Sequence, residues 1–251
     1  EKGAECTIAV MPVSMEEATR MGIMSTDEEG AITDFEEKPK QPKSNLASMG
    51  IYIFTWSVLR QYLIADEADP NSENDFGKNI IPNFLKDGRP MYAYSFEGYW
   101  KDVGTLDSLW DANMDLLDPS DPINMRDPSF RIYARNYSAP ATRLGSGAKV
   151  TNSFVAEGCT IRGSVEHSVL YTGCEIEEGA IVTGAVIMPG STIRKGANVS
   201  YCIVGERCVV EEGAKIGERP ENYLDSDWGI AVVGHDRTIA AGSVIKPKEI
   251  V

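Results

Sequence analysis

The 251-residue sequence predicts an α/β domain followed by a left-handed parallel β-helix. Short apolar runs alternate with amphipathic helical segments from Thr7 to Leu117, whereas aliphatic residues recur about every six positions from Val155 onward. The chain between these parts is rich in Pro, Asp, Ser and Asn, which predicts a linker along a surface. We therefore predict one domain over residues 1–117, a linker over 118–145 and the β-helix over 146–251.

Two strands and one helix are predicted in the first part. Apolar runs from Thr7 to Met11 and from Met49 to Phe54 predict strands. Thr55 can cap a helix whose apolar residues follow the three-and-four spacing of a buried face. These residues are Val58, Leu59, Tyr62 and Leu63. We expect this stripe to pack on the sheet.

Two more helices are predicted before the linker. The apolar residues of the second are Phe76, Ile80, Ile81, Phe84 and Leu85. Pro82 lacks an amide proton, so we expect this helix to bend or break. It ends at Asp87-Gly88. The third helix is capped by Thr105 and stops at Asp118-Pro119. Its apolar residues are Leu106, Leu109, Trp110 and Leu117.

The six-residue period predicts that each hexad forms one short side of a triangular coil, with its aliphatic residue pointing to the axis. The residues assigned to the axis are Val155, Ile161, Leu170, Ile176, Ile181, Ile187, Ile193, Val199, Val204, Val210 and Ile216. The segment from Glu218 to Trp228 interrupts the period and is expected to loop out before Ile239 and Ile245 resume it. Flat faces and open coil ends predict an oligomerisation element.

Composition excludes several classes of function. A formal net charge of −14 argues against nucleic acid as a partner, because a binder of polyanions needs a basic face. The apolar runs are too short to span a bilayer and no secretory signal precedes Thr7, so we predict a cytoplasmic protein without a membrane partner. The five cysteines form no Cys-x-x-Cys pair, so we expect no zinc, and we expect the four in the repeat region to be packed thiols.

Three motifs carry the chemistry of this sequence: Phe35-Glu36-Glu37-Lys38-Pro39, Ser48-Met49-Gly50, and Tyr99-Trp100-Lys101-Asp102-Val103-Gly104-Thr105. A lysine before a proline turn offers an ammonium to a phosphate, and the adjacent glutamate can accept hydrogen bonds from sugar hydroxyls. An aspartate at a strand end can hold a magnesium ion. Each motif alone also fits an ordinary turn, but the ordered set indicates a sugar-phosphate and metal site.

With these motifs, and with DFGKNIIP from Asp75, the chain resembles the bacterial ADP-glucose pyrophosphorylases, or glucose-1-phosphate adenylyltransferases, from about Thr7 to its C-terminus. The resemblance implies a nucleotidyltransferase (Rossmann-like) domain, incomplete here, followed by the β-helix. The Gly-rich nucleotide loop and the first metal-binding aspartate of that family have no counterpart in these residues. We therefore expect the chain to be the C-terminal portion of a longer enzyme and inactive alone. The Asp75-Phe76-Gly77 triplet also matches a kinase magnesium motif, but no other kinase element accompanies it.

The resemblance also implies an activity and a set of site residues. ATP and glucose 1-phosphate would give ADP-glucose and pyrophosphate, for glycogen synthesis. Glucose 1-phosphate would contact Gly22, Glu37, Lys38 and Ser48, with Lys38 at the phosphate and Glu37 at the hydroxyls. Asp102 would be the second ligand of a catalytic Mg²⁺, and Lys38 and Asp102 would serve catalysis. The β-helix would assemble a homotetramer or another homo-oligomer.

Two alternatives from other classes stay open. Hexapeptide β-helices also host acyl transfer with a catalytic histidine, for which His167 is the candidate. This hypothesis leaves the Glu37-Lys38 and Asp102 motifs unexplained. A non-catalytic regulatory subunit of the resembled family is the second alternative, and retention of Lys38 and Asp102 argues against it. The sequence identifies neither the allosteric effectors nor the preferred base.

Overall fold

The computed structural model describes residues 2–120, 123–125, 127–133, 138–222 and 228–251. The chain divides into two compact units, Glu1–Gly98 and Tyr99–Val251. The predicted domain limits at residues 117 and 146 stay predictions. The predicted linker and the predicted loop from Glu218 to Trp228 lie partly outside the described residues.

The first unit is built on a five-stranded mixed sheet in the order β3-β2-β4-β1-β5. Strand β1 is antiparallel to β4 and parallel to β5, while β2 is antiparallel to both β3 and β4. The strands are β1 (Cys6–Pro12), β2 (Gly22–Thr26), β3 (Ile32–Glu37), β4 (Leu46–Phe54) and β5 (Met91–Ser95). Both predicted strands are therefore confirmed, and β4 begins three residues earlier than its apolar run.

One face of this sheet is covered by helices. They are α2 (Trp56–Ala68), a π-helix over Phe76–Ile80 and α3 (Ile81–Lys86), and a one-turn helix α1 (Met15–Ala18) precedes β2. The four apolar residues predicted for the first helix pack against the cluster that contains Ile8 and Phe84. This confirms the predicted buried face of α2. Thr55 holds the N-cap position, but its side chain makes no capping hydrogen bond.

The helix expected to bend or break at Pro82 instead changes type just before it, from a π-helix to an α-helix. A π-turn precedes the proline, and the amide of Ile81 donates to the carbonyl of Phe76. Pro82 then lies in the first turn of α3, where a backbone amide has no helical acceptor and its loss costs little. The side chain of Asp75 caps the π-helix by accepting from the amide of Lys78 at 2.9 Å. The segment that precedes Pro82 is thereby fixed against the sheet.

The second unit contains a parallel β-helix of short strands stacked in three sheets, as the hexapeptide period predicted. The first sheet consists of β7 (Lys149–Thr151), β10 (Ser164–Glu166), β13 (Ile181–Thr183), β16 (Asn198–Ser200), β19 (Lys215–Ile216) and β22 (Val244–Ile245). The second consists of β8 (Phe154–Val155), β11 (Val169–Leu170), β14 (Val186–Ile187), β17 (Cys202–Val204) and β20 (Ala231–Val233). The third consists of β6 (Arg143–Leu144), β9 (Thr160–Ile161), β12 (Glu175–Ile176), β15 (Thr192–Ile193), β18 (Val209–Val210) and β21 (Thr238–Ile239).

The prediction that Ile181 points to the axis is wrong. Val165, Val182 and Val199 share one register column, so the central coils repeat every 17 residues. Val182 is fully buried, whereas Ile181 is 47% exposed on the outer surface. The five-residue step of each coil therefore falls between Val182 and Ile187, one corner later than the sequence suggested. Because Ile181 and Val182 are adjacent aliphatic residues, either one fits an approximate six-residue period. Only the 17-residue length of the coil shows which of the two points to the axis.

The third predicted helix is confirmed as α4 (Leu106–Asp115). The hydroxyl of Thr105 accepts from the amide of Ser108 at 3.2 Å and caps it. Within the second unit α4 packs on the outward column of the second sheet, with Met114 against Val186 and its neighbours. The indole of Trp110 donates to the carbonyl of Gly184 at 2.8 Å. One of the three outer faces of the β-helix is thus covered by a helix.

The cysteines of the repeat region match the expectation from composition. All five cysteines are free and buried, which confirms that the four in the repeats are packed thiols. No helix in the described part of the chain has the length and apolarity needed to cross a bilayer.

The corrected register predicts opposite outcomes for two neighbouring substitutions. Val182→Ala removes fully buried methyl groups, so it should lower the free energy of unfolding by about 1.5–3 kcal/mol. Ile181→Ala removes more carbon atoms but from a half-exposed site, so we expect a loss of about 1 kcal/mol or less. Chemical denaturation followed by circular dichroism measures both. A larger loss for Ile181→Ala than for Val182→Ala would contradict this register.

Candidate active site

Three adjacent strands bring together the residues of the first unit that are predicted to bind the sugar phosphate. Gly22 on β2 pairs with Glu37 on β3. On the other side of β2, Ile23 pairs with Ala47 on β4, so Ser48 lies one register position beyond. The two motifs that are separated in sequence thus meet at the Gly22 end of β2. The fourth predicted residue, Lys38, directly follows β3.

The carboxylate of Glu37 is the most unusual group at this site. Its side chain is only 25% exposed, and its nearest cation is the Lys38 ammonium at 3.9 Å from Oε1. Burial raises the pKa of Glu37; the Lys38 charge opposes this shift, Asp75 adds to it and Lys78 opposes it. Among the described residues no donor forms a hydrogen bond with this carboxylate. Since a desolvated carboxylate gains most from donors, it is suited to accept hydrogen bonds from a ligand.

Gly22 and Gly77 have no side chain, and the Glu37 carboxylate occupies the space that a side chain at either position would need. A Cβ atom added to Gly77 would lie 2.4 Å from Oε2 of Glu37, and one added to Gly22 would lie 3.0 Å from the same atom. The Gly22 position would also meet Cζ of Phe35 at 2.7 Å. We call the space bounded by Gly22, Gly77 and Glu37 the glycine slot. Gly22 therefore has a packing reason to be glycine, and its contact with substrate stays a prediction.

Lys38 has a left-handed backbone conformation with φ 49°. This region is unfavourable for residues with a Cβ atom by roughly 1–2 kcal/mol. The amide of Lys38 donates to the carbonyl of Met21 at 3.0 Å, and Pro39 follows directly. These constraints fix the turn, while the side chain stays 64% exposed. An ammonium on a fixed turn, reachable from solvent, is suited to meet a phosphate.

Ser48 connects this strand end to the segment that begins at Asp75. Its hydroxyl donates to the hydroxyl of Tyr52 at 3.4 Å and accepts from the amide of Gly50 at 3.2 Å. The ring of Tyr52 stacks on Phe76 with a centroid distance of 5.6 Å. Burial raises the pKa of Tyr52; Ser48 opposes this shift, and Glu37 and Asp75 add to it.

Sequence reasoning missed the contribution of the segment from Asp75 to Lys78. In the sequence the triplet Asp75-Phe76-Gly77 lies in a motif of the resembled family and at the start of a predicted helix, and neither gives it a place in the site. The signal that could have indicated one is a glycine inside a predicted helix, which costs stability unless space or backbone conformation requires it. In the structure the segment lies against Glu37 and Tyr52.

Asp102 lies in the second unit, in the loop that precedes α4. It is exposed, and its Oδ1 accepts from the amide of Gly104 at 3.1 Å. Just before it along the chain, Lys101 and Tyr99 donate to the carboxylate of Asp115 in α4, at 2.6 and 2.8 Å. The loop is therefore tied to the helix that follows it.

The donor chemistry at Asp102 fits a hard divalent cation, because carboxylate oxygens are preferred ligands of Mg²⁺. Throughout the described ranges, no three or more His, Cys, Asp or Glu residues are grouped so as to hold a metal ion. The Asp102 carboxylate has the right chemistry for one such ligand, and its role in a metal site stays a prediction.

His167 lies at a corner of the β-helix with a left-handed backbone, φ 46°. Its Nδ1 lies 3.1 Å from the side-chain nitrogen of Asn152 on the neighbouring coil. This contact gives the histidine a role in holding two coils together. The acyl-transfer alternative gains no support from it.

Most of the chain matches known protein families and their members. The nucleotidyl transferase family model matches residues 1–119, and the GlmU-like C-terminal hexapeptide model matches residues 140–233. Glucose-1-phosphate adenylyltransferases of Bacillus cereus (strain ATCC 10987 / NRS 248) and Bacillus anthracis are each 50% identical over 225 residues. That of Bacillus mycoides (strain KBAB4) is 49% identical over the same length.

These matches cover 90% of this chain and 59% of each relative, so the chain spans less than two thirds of the length of the proteins it resembles. The order of the two segments is the one that the motifs predicted, a nucleotidyltransferase segment followed by hexapeptide repeats. Nucleotidyl transfer of this kind uses a divalent metal ion. On motifs, fold and identity together, the chain is similar to the glucose-1-phosphate adenylyltransferases over the part of their length that it spans.

Proposed function

We propose that this protein acts in the synthesis of ADP-glucose and pyrophosphate from ATP and glucose 1-phosphate, for glycogen synthesis. The observation that supports this most is the Glu37 carboxylate, largely buried beside Lys38 and without a hydrogen-bond donor in the described chain. A phosphorylated sugar supplies both missing partners, because its hydroxyls can donate hydrogen bonds to Glu37 and its phosphate is an anion that can pair with Lys38.

The residues of the first unit have separate tasks in this proposal. Lys38 binds the sugar phosphate through its ammonium, and Glu37 accepts hydrogen bonds from the sugar hydroxyls. Ser48 lies at the same strand end, and its hydroxyl adds a third polar side chain to the site. Gly22 keeps the backbone of β2 free of a side chain where the sugar approaches. Together these groups orient the phosphate oxygen that acts as nucleophile.

The reaction needs alignment more than covalent chemistry. An oxygen of the sugar phosphate attacks the α-phosphorus of ATP in line with the leaving pyrophosphate, and no covalent enzyme intermediate forms. One P–O bond forms as another breaks, so protein groups hold the reactants and neutralise charge. Lys38 supplies one fixed positive charge for this purpose.

Asp102 is proposed as a ligand of the catalytic Mg²⁺. Its exposed carboxylate, fixed to the loop by the Gly104 amide, is a suitable oxygen donor. The bound ion would neutralise phosphate charge and align the reacting groups. The bond network of Lys101, Tyr99 and Asp115 holds the loop that presents this ligand.

A homo-oligomer assembled through the β-helix is also proposed. On the outer face of the first sheet, Ile181 is 47% exposed and Val244 is 60% exposed, and they share one register column. Exposed aliphatic side chains on a flat strand face favour burial against another copy. We expect this association to form a dimer or tetramer.

Lys38 provides the first test of the proposed function. Kinetics are measured in the full-length protein, which is the complete gene product that contains residues 1–251. Lys38→Ala removes a charge-assisted bond worth about 1.5–3 kcal/mol, so the KM for glucose 1-phosphate should rise roughly 10- to 150-fold. Lys38→Gly should give the same loss while removing the left-handed backbone strain, which separates binding from folding.

Lys40→Ala is the matched control, because Lys40 lies two residues away on the same turn. We expect its KM values to remain at wild-type level. Equal weakening of ATP and glucose 1-phosphate by Lys38→Ala, or no change in either, would contradict the assignment.

Substitution of Asp102 tests the proposed metal ligand. Asp102→Asn keeps the acceptor for the Gly104 amide but removes the negative charge. We expect kcat to fall by about 100-fold or more while the KM for glucose 1-phosphate changes little, since a metal-aligned charge matters most in the transition state. Higher Mg²⁺ should recover part of the rate. Near-normal turnover at low Mg²⁺ would mean that Asp102 only stabilises its loop.

Sedimentation of the 251-residue chain tests the proposed assembly. At high micromolar concentration we expect the mass of a dimer or tetramer, and Ile181→Glu should shift the distribution towards the monomer because it replaces an exposed aliphatic side chain of the proposed contact face by a charge. A strict monomer would contradict self-association. An unchanged oligomer with Ile181→Glu would exclude this face as the contact.

A further inference from the structure

We propose that Gly77 is a positioning residue for sugar recognition, which holds the Glu37 carboxylate in place by providing room for it. This inference rests on the proposed function of Glu37 and adds a residue that lies outside the substrate-binding set. Its basis is the glycine slot, where a Cβ atom on Gly77 would lie 2.4 Å from Oε2 and 3.0 Å from Cδ of Glu37.

The backbone does not explain why residue 77 is glycine. Its φ lies outside the left-handed region, so an L-residue could adopt the same conformation. A glycine inside a helical segment costs roughly 0.5–1 kcal/mol relative to alanine. The space taken by the Glu37 carboxylate is the feature that accounts for the absence of a side chain here.

The surroundings of Gly77 determine what an added methyl group would displace. Besides Glu37, the nearest atom is Oδ1 of Asp75 at 3.3 Å, and Asp75 is held by its bond to the amide of Lys78. The Glu37 carboxylate is the end of a flexible side chain that reaches solvent, so it is the group free to move. Gly77→Ala should therefore shift the Glu37 carboxylate outward and leave the fold in place.

Gly22 bounds the same slot but is a poorer probe. A methyl group there would collide with the ring of Phe35 at 2.7 Å as well as with Glu37 at 3.0 Å. Phe35 packs against the core cluster of the first unit, so Gly22→Ala would disturb the core together with the carboxylate. Only Gly77→Ala separates the position of Glu37 from the stability of the sheet.

The experiment is steady-state kinetics of Gly77→Ala in the full-length protein, together with its thermal unfolding. A displacement near 1 Å at a contact that orients substrate can cost on the order of 100-fold, so we expect the KM for glucose 1-phosphate to rise about 10- to 100-fold. The KM for ATP should stay within about twofold of wild type. A purely structural role would change both KM values together or lower the unfolding temperature alone.

A double-mutant cycle with Glu37→Ala shows whether Gly77 acts through Glu37. Removing the carboxylate removes the collision, so Gly77→Ala should have no further effect on the KM for glucose 1-phosphate in that background. Should Gly77→Ala fail to fold alone, folding should return in the double variant. Failure to fold in both backgrounds would overturn the proposal.

Gly147→Ala is the matched control, since Gly147 also lies outside the left-handed region and an added Cβ would have no neighbour closer than 3.9 Å. It should leave both KM values unchanged. If Glu37→Ala itself leaves the KM for glucose 1-phosphate unchanged, the proposed role of Glu37 fails. If Glu37→Ala raises this KM but Gly77→Ala does not, or if the two effects add, the positioning role of Gly77 fails and the role of Glu37 stands.

Discussion

The register of β2 against its two antiparallel neighbours is the constraint on which the candidate site depends. Pairing of Gly22 with Glu37 and of Ile23 with Ala47 places two motifs that are separated in sequence at one end of β2. A slip of one residue would turn each side chain to the other face of the sheet. The apolar residues of β2 prevent such a slip, because Met24 is fully buried in the core cluster. The irregular pairing of β2 with β3 is confined to the far end, between Ser25 and Thr26.

Holding Glu37 in the glycine slot has a cost for the fold. Burial raises the pKa of this carboxyl in the folded state, and the nearby Asp75 adds to the shift while Lys38 and Lys78 oppose it. A carboxyl whose pKa is raised by folding contributes stability while it is protonated, and this contribution is lost as pH rises through the raised pKa. At neutral pH the ionised group therefore destabilises the folded state slightly. A ligand that donates hydrogen bonds to Glu37 offsets that cost, so the same feature that weakens the free protein favours binding.

Periodicity and helix-terminus residues were sufficient to predict two of the five strands of the first sheet, the buried face of α2, the irregular helix around Pro82 and the hexapeptide coils. Each of these depends on interactions within a few residues of sequence. The exposed position of Ile181 could not be predicted in this way, because it depends on where the five-residue step falls in a 17-residue coil. The part played by Gly77 was missed for a related reason. Its contact partner is Glu37, forty residues earlier, and only the tertiary structure shows that the two meet.

The position of α4 connects the proposed metal ligand to the β-helix. In sequence α4 follows the Asp102 loop and reads as the last helix of an α/β domain, yet its apolar face packs on the outward column of Val169, Val186 and Ile203. Trp110 bonds to Gly184, and Asn113 accepts from the hydroxyl of Tyr171, so two polar contacts fix the helix on the coils. Because Asp115 of that helix binds Lys101 and Tyr99, the loop around Asp102 is held in place on the β-helix through α4. The β-helix therefore serves as the support of a loop proposed to act in catalysis, in addition to any role in assembly.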